Sequence, residues 1–218
     1  MNNVWIVVPV ISNDIDLTSY VDRLSGGYTA PETYEKTVFN PETQASEKED
    51  VAHPYAGQVS HDFSNKIIFV NKVDGYGEYE GVVHLEDFND IGIYRYWNTG
   101  LEYAFANGAD SVILTNGVFE FDPFVIKEAY DEFSKGESEV INISDGAMLL
   151  VSSSSSLRAD EQFQIWFGDN DFYRRAEPVL GYSRSEYLWG DYLIDSSSTE
   201  SFDSIVASDQ VKYNAKWN

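Results

Sequence analysis

The chain has 218 residues, of which 37 are acidic and 14 basic, for a formal charge of −23, and it contains no cysteine. That length suits one domain with a sizeable core, and 43% hydrophobic residues with abundant Tyr, Phe and Trp is the composition of a folded chain rather than a disordered one. The absence of cysteine excludes disulfides and thiolate metal sites, while the shortage of Lys and Arg argues against non-specific nucleic-acid binding and against an anionic membrane surface.

Val4-Trp5-Ile6-Val7-Val8-Pro9-Val10 is a continuous β-rich apolar run, the pattern of a strand buried on both faces of a parallel sheet. It is too short to span a bilayer and has no basic flank, so a cytoplasmic protein is expected. Asp14 to Leu24 predicts a short helix stopped by Gly26-Gly27. Residues 28–65 are polar, with three prolines and the acidic cluster Glu47 to Asp50, and read as an insertion or flap leaving the core. Lys66 to Asn71 and Gly81 to Leu85 are further strands. Gly92 to Asn107 predicts a helix with Ile93, Trp97, Leu101, Ala104 and Phe105 on one face, stopped by Gly108.

Ser111 to Thr115 follows as a strand. Asp122-Pro123 marks a helix start, with the carboxylate placed to cap free amides, and the helix runs to about Phe133. Glu139 to Ile143 and Ala147 to Ser152 are strand candidates, and the serine run Ser152 to Ser156 is a loop. Strands alternating with helices predict an α/β fold with a mainly parallel, Rossmann-like sheet flanked by helices. The three histidines, His53, His61 and His84, show no metal-ligand spacing.

Function is carried by spaced residues. Asp160, Glu161 and Phe163 form D-E-x-F, and Asp169, Asp171 and Arg175 follow at fixed distance. This segment resembles the acceptor-side motif of inverting GT-A glycosyltransferases of the family-2 type. The resemblance extends over roughly Asn3 to Arg175. Asp90-Ile91-Gly92 and Asn98-Thr99-Gly100 look like the N-x-G…N-x-G signature of that family, with Asp90 in place of the first Asn.

The resemblance implies a GT-A-like domain over residues 1–180 with the insertion at 28–65. Residues 181–218 lie beyond the resemblance and read as a C-terminal extension, either a lid or an oligomer contact. The resemblance further implies transfer of a sugar from a nucleotide-diphospho-sugar, with Asp169 as general base on the acceptor hydroxyl; the family more often has Glu just before the base, where this chain has Gly168. Asp171 and Arg175, four apart on a helix, would pair to position the base. The competing reading is that Asp169 or Asp171 caps a helix. On the acceptor side the resemblance places Glu161, Trp166 and Phe167, the two aromatics forming a wall for a ring or packing in the core. On the donor side it places Pro9, Val10, Asn71, Lys72, Asp74, Gly92, Asn98, Asn116 and Gly117. The glycines, Gly92 and Gly100, equally suit helix–sheet packing.

One departure stands out. The family holds a Mn or Mg ion with a D-x-D carboxylate, and here the turn reads Asn116-Gly117-Val118. Valine offers a hard cation no oxygen. Either Glu120 or another acid supplies a ligand, or cationic side chains meet the charge of the leaving diphosphate, or the chain is a GT-A-like binding or scaffold protein without transfer. The acceptor, whether glycan, protein side chain, metabolite or modified nucleobase, is left open.

Overall fold

The computed structural model describes residues 3–10, 17–40, 45–71, 79–87, 92–117, 121–143, 148–183 and 202–217. In chain order its elements are β1 (Val4–Val10), α1 (Thr18–Leu24), β2 (Thr33–Asn40), β3 (Ala45–Ala52), β4 (Ile67–Asn71), β5 (Val82–Glu86), α2 (Ile93–Ala106), β6 (Ser111–Thr115), α3 (Phe124–Phe133), β7 (Val140–Ile143), β8 (Met148–Ser152), α4 (Gly168–Ala176), β9 (Leu180–Ser183) and α5 (Asp203–Trp217).

Seven strands form one sheet in the order β5-β4-β1-β6-β8-β7-β9, parallel except for β8, which runs against both β6 and β7. The protein is an α/β fold with a mainly parallel, Rossmann-like sheet. The central strands β1, β4 and β6 are buried throughout, as their unbroken apolar runs require once helices cover both faces. Alternation along β1 splits the core in two. Val4, Ile6 and Val8 join Leu17, Tyr20 and Leu24 of the α1 region and Val125 and Ile126 of α3. Trp5 and Val7 join Trp97, Leu101 and Ala104 of α2 and Phe172 of α4 on the other face. Gly100 lies so close to β1 that a Cβ there would stand 2.4 Å from Val7, so its role is helix–sheet packing.

Within the 28–65 insertion, β2 and β3 pair as an antiparallel ribbon from Thr33↔Ala52 to Asn40↔Ala45. Charged residues interrupt both strands, so no apolar run announces them. The insertion is fastened to the start of α3 by Asp122, whose Oδ2 accepts from Tyr28 Oη (2.6 Å) and from His53 Nε2 (2.9 Å). Its Oδ1 takes the Phe124 amide (2.9 Å), the capping contact expected of it. His53 Nδ1 accepts the Tyr55 amide (3.0 Å), which leaves the ring proton on Nε2 facing the carboxylate. Tyr55 also stacks on Phe124, centroids 4.6 Å apart. Of the residues expected as a C-terminal extension, 181–183 and 202–217 are described. β9 is an edge strand beside β7, and α5 docks on the segment around Asp160 and α4. Among the described residues no helix is long and apolar enough to cross a membrane.

Candidate functional site

From β1 the chain moves outward through β4 to β5, then returns by α2 to β6 on the other side of β1. That reversal makes the carboxyl ends of β1 and β6 a topological switch point, where open α/β sheets bind ligands. Pairing of β1 with β6 stops at Val7↔Leu114, two residues before Pro9, which has no N–H to offer a neighbour. On the other side β1 stays paired through Val10↔Asn71. Pro9, Val10, Asn71, Asn116 and Gly117, all expected on the donor side, thus gather at one end of the sheet. The β6 turn is held by Trp97 Nε1, which donates to the Thr115 carbonyl (2.7 Å), and by Thr115 Oγ1, 2.9 Å from the Gly117 carbonyl. Gly117 has φ 121°, and among the described residues nothing lies within 4 Å of where its Cβ would be. The turn therefore demands glycine for its backbone.

Asp169 comes to this turn from the opposite part of the chain. It sits in the first turn of α4, where its Oδ1 takes the Asn170 amide at 2.8 Å and lies 3.4 Å from Tyr94 Oη. The Asn116 side chain also hydrogen-bonds to it. Burial lifts the Asp169 carboxyl above its ordinary value of 3.8, a rise that the bonds from Asn170, Tyr94 and Asn116 only partly offset. The N-cap of α4 is Phe167, without a side-chain cap bond, so Asp169 is not the helix cap. Phe167 has φ 65°, a left-handed conformation that costs a non-glycine residue roughly 1 kcal/mol or more. Next to it, a Cβ on Gly168 would meet three carbons of the Tyr94 ring at 2.4–2.6 Å. The resemblance implies Glu before the base; the Tyr94 ring explains why this chain has Gly.

The remaining expected residues fall into distinct roles. Asp171 and Arg175 do pair, Nε to Oδ2 at 2.8 Å. Asp171 is fully buried and also receives Lys216 Nζ (2.6 Å) and Trp217 Nε1 (3.0 Å), so it braces α4 rather than facing a ligand. Asn98 spends its amide within the protein. Nδ2 donates to the Ala159 carbonyl (2.9 Å) and to Glu161 Oε1 (2.8 Å), and Oδ1 accepts the Ala159 amide (2.9 Å). It clamps the segment at Ala159, and Glu161 is its partner. Trp166 is 38% exposed, an open aromatic face three residues before Asp169, whereas the half-buried Phe167 lies against Tyr213, ring centroids 5.3 Å apart. Gly92 precedes α2, and a Cβ there would make only ordinary contacts with Arg95. Asn71 is buried, and its carbonyl takes the Asp87 amide (2.7 Å). Lys72, Asp74, Asp90, Val118 and Glu120 lie outside the described residues.

Sequence reasoning missed Tyr94. It is nearly fully buried, donates to the Ile165 carbonyl (3.0 Å), and its phenol is held well above its usual range by burial and by the neighbouring Asp169. The available signal was Gly168, a small residue where a larger one was expected. Among the described residues no group of three or more His, Asp or Glu is arranged to hold a metal ion. No known family model and no curated protein matches this chain, so its chemistry is read from its own residues.

Proposed function

We propose that the chain is a GT-A-like glycosyltransferase that moves a sugar from a nucleotide-diphospho-sugar to an acceptor hydroxyl with inversion, using Asp169 as general base. The observation that carries this reading is the meeting of Asn116, at the end of β6, with Asp169, at the start of α4, beside the switch point of the sheet. The donor would lie over the Asn116-Gly117 turn, and the acceptor would approach past Trp166. As the acceptor oxygen bonds to the anomeric carbon, its proton passes to Asp169. The bond from that carbon to the diphosphate oxygen breaks, and the nucleoside diphosphate leaves with the electron pair. Tyr94 and Asn116 hold the carboxylate, and the pair Asp171–Arg175 fixes the helix that carries it.

A carboxylate buried to this degree suits the task. Its raised pKa makes it a stronger base than an exposed aspartate. No step is routed through a metal, because Val118 stands where the metal carboxylate is implied. The same valine favours a second reading, a protein that binds the sugar nucleotide without transferring the sugar.

Release of nucleoside diphosphate from a panel of sugar donors, followed against pH, separates the two. Transfer predicts an acid limb in kcat/KM that rises with pH as Asp169 loses its proton, with a midpoint above 3.8. Donor binding without release at any pH supports the second reading.

A further inference from the structure

We propose that α5 is the positioning element of this site: Asp209, seated on three successive backbone amides, fixes the loop that aims Asp169. The inference rests on the reading of Asp169 as the base.

α5 docks in an unusual way. Ile205 and Tyr213 pack half-buried against the core, and the one fully buried residue of the helix is a carboxylate, Asp209. Asp209 Oδ2 accepts from the amides of Gln164 (2.9 Å), Ile165 (2.9 Å) and Trp166 (3.2 Å). Consecutive amides converging on one point form an anion receptor, and here the chain fills it with its own carboxylate. Lys212 closes the contact, 3.0 Å from Asp209 Oδ1 and 2.6 Å from the Gln162 carbonyl. Farther along the helix, Lys216 bridges Asp160 (2.7 Å) and Asp171 (2.6 Å), and Trp217 reaches Asp171 as well. Arg174 of α4 lies over the rings of Tyr213 and Trp217.

α5 therefore grips the chain on both sides of Phe167 and Asp169: at the amides of residues 164–166 before them and at Asp171 after them. Between the two grips stands Phe167 in its left-handed conformation, a state that persists only where its surroundings enforce it. The Ile165 peptide is held from both ends, its N–H by Asp209 and its carbonyl by Tyr94, whose hydroxyl also neighbours Asp169. Loss of Asp209 frees this peptide, lets Phe167 relax and releases Asp169 from its buried position. α5 buries no catalytic group of its own; it acts through the loop.

The test uses the full-length chain without any sugar nucleotide. It compares wild type, Asp209→Asn and Val211→Ser by amide hydrogen exchange and by NMR titration of the Asp169 carboxyl. In Asp209→Asn, protection at residues 164–166 should fall about tenfold or more, the scale of lost bonds to a charged acceptor. The Asp169 midpoint should move down toward 3.8. Val211→Ser, at an exposed position of the same helix, should change neither. Should Asp209→Asn fail to melt cooperatively, Lys212→Met applies the same readouts with Asp209 still in place, and a smaller shift in the same direction is expected. A midpoint that stays at its wild-type value while loop protection is lost would overturn the proposal, since α5 would then be a structural prop only. That result leaves glycosyl transfer standing, whereas a responsive midpoint in a protein that turns over no donor retires the function and keeps the coupling.

Discussion

Asp169→Asn should lower turnover at least about a hundredfold, the scale of a lost general base, and should leave the protein as stable as wild type or more so at pH 7. The two halves of this result share one cause. Burial raises the Asp169 pKa in the folded state, so between the unfolded value and the raised one the folded chain binds the extra proton. Stability then falls as pH rises through that window, and above it the ionised carboxylate is a standing cost of folding. Asparagine keeps the shape, can still accept from Asn170, and removes the charge. A structural aspartate would behave in the opposite way, with Asn lowering the melting temperature and sparing activity. Paired measurements of kcat and Tm on the one variant distinguish the cases.

Gly168→Ala should be costly in both respects. The new Cβ would fall 2.4–2.6 Å from three carbons of the Tyr94 ring, and that ring is 1% exposed and packed edge-on against Trp97 at 5.2 Å. It has nowhere to retreat, so one element must shift. Overpacking of this kind costs about 1–3 kcal/mol, or roughly 2–10 °C in Tm for a chain of this size. Because the displaced residue is the neighbour of Asp169, a shift of about 1 Å should also lower turnover by roughly a hundredfold. Gly168→Glu, which makes the motif more like that of the family, should be worse still. Tyr94→Phe is the control: it keeps the ring and removes only the hydroxyl, so its effect on stability should be the smaller one. Thermal melting and donor turnover of the three variants check this ordering, and an alanine variant with wild-type Tm would show that the ring can move.

What the sequence made legible follows from where burial and periodicity speak. β1, β4 and β6 announce themselves as unbroken apolar runs, and α2 by the spacing of Trp97, Leu101 and Ala104, because each is covered by apolar neighbours. Asp122 was readable as a cap from its place before Pro123, although not its second role in holding the insertion through Tyr28 and His53. The ribbon β2–β3 was hidden because a two-stranded ribbon rich in charge need not display an apolar face. α1 begins at Thr18, later than the expected Asp14, and residues 11–16 lie outside the described segments.

The site was legible only in part. Asp169 stood out by its spacing from D-E-x-F, but nothing local links it to Tyr94, 75 residues earlier, or to Asn116, 53 residues earlier. Such contacts are made by topology. The same holds for Asp209, an ordinary acid in sequence, whose meaning appears only when three amides of another segment turn toward it. Asn98 shows the converse: its motif suggested a ligand, and its amide is bound to Ala159 and Glu161.

The central proposal is that a sugar nucleotide binds at the carboxyl ends of β1 and β6. Thermal melting of the wild-type protein with UDP-, GDP-, dTDP- and CMP-sugars, each with and without Mn²⁺, tests it most directly, since a ligand of the folded state raises Tm by mass action. The account predicts a rise with donors of one base, undiminished in Asp169→Asn and not strictly dependent on Mn²⁺. Unchanged melting with every donor, metal present or absent, would contradict it.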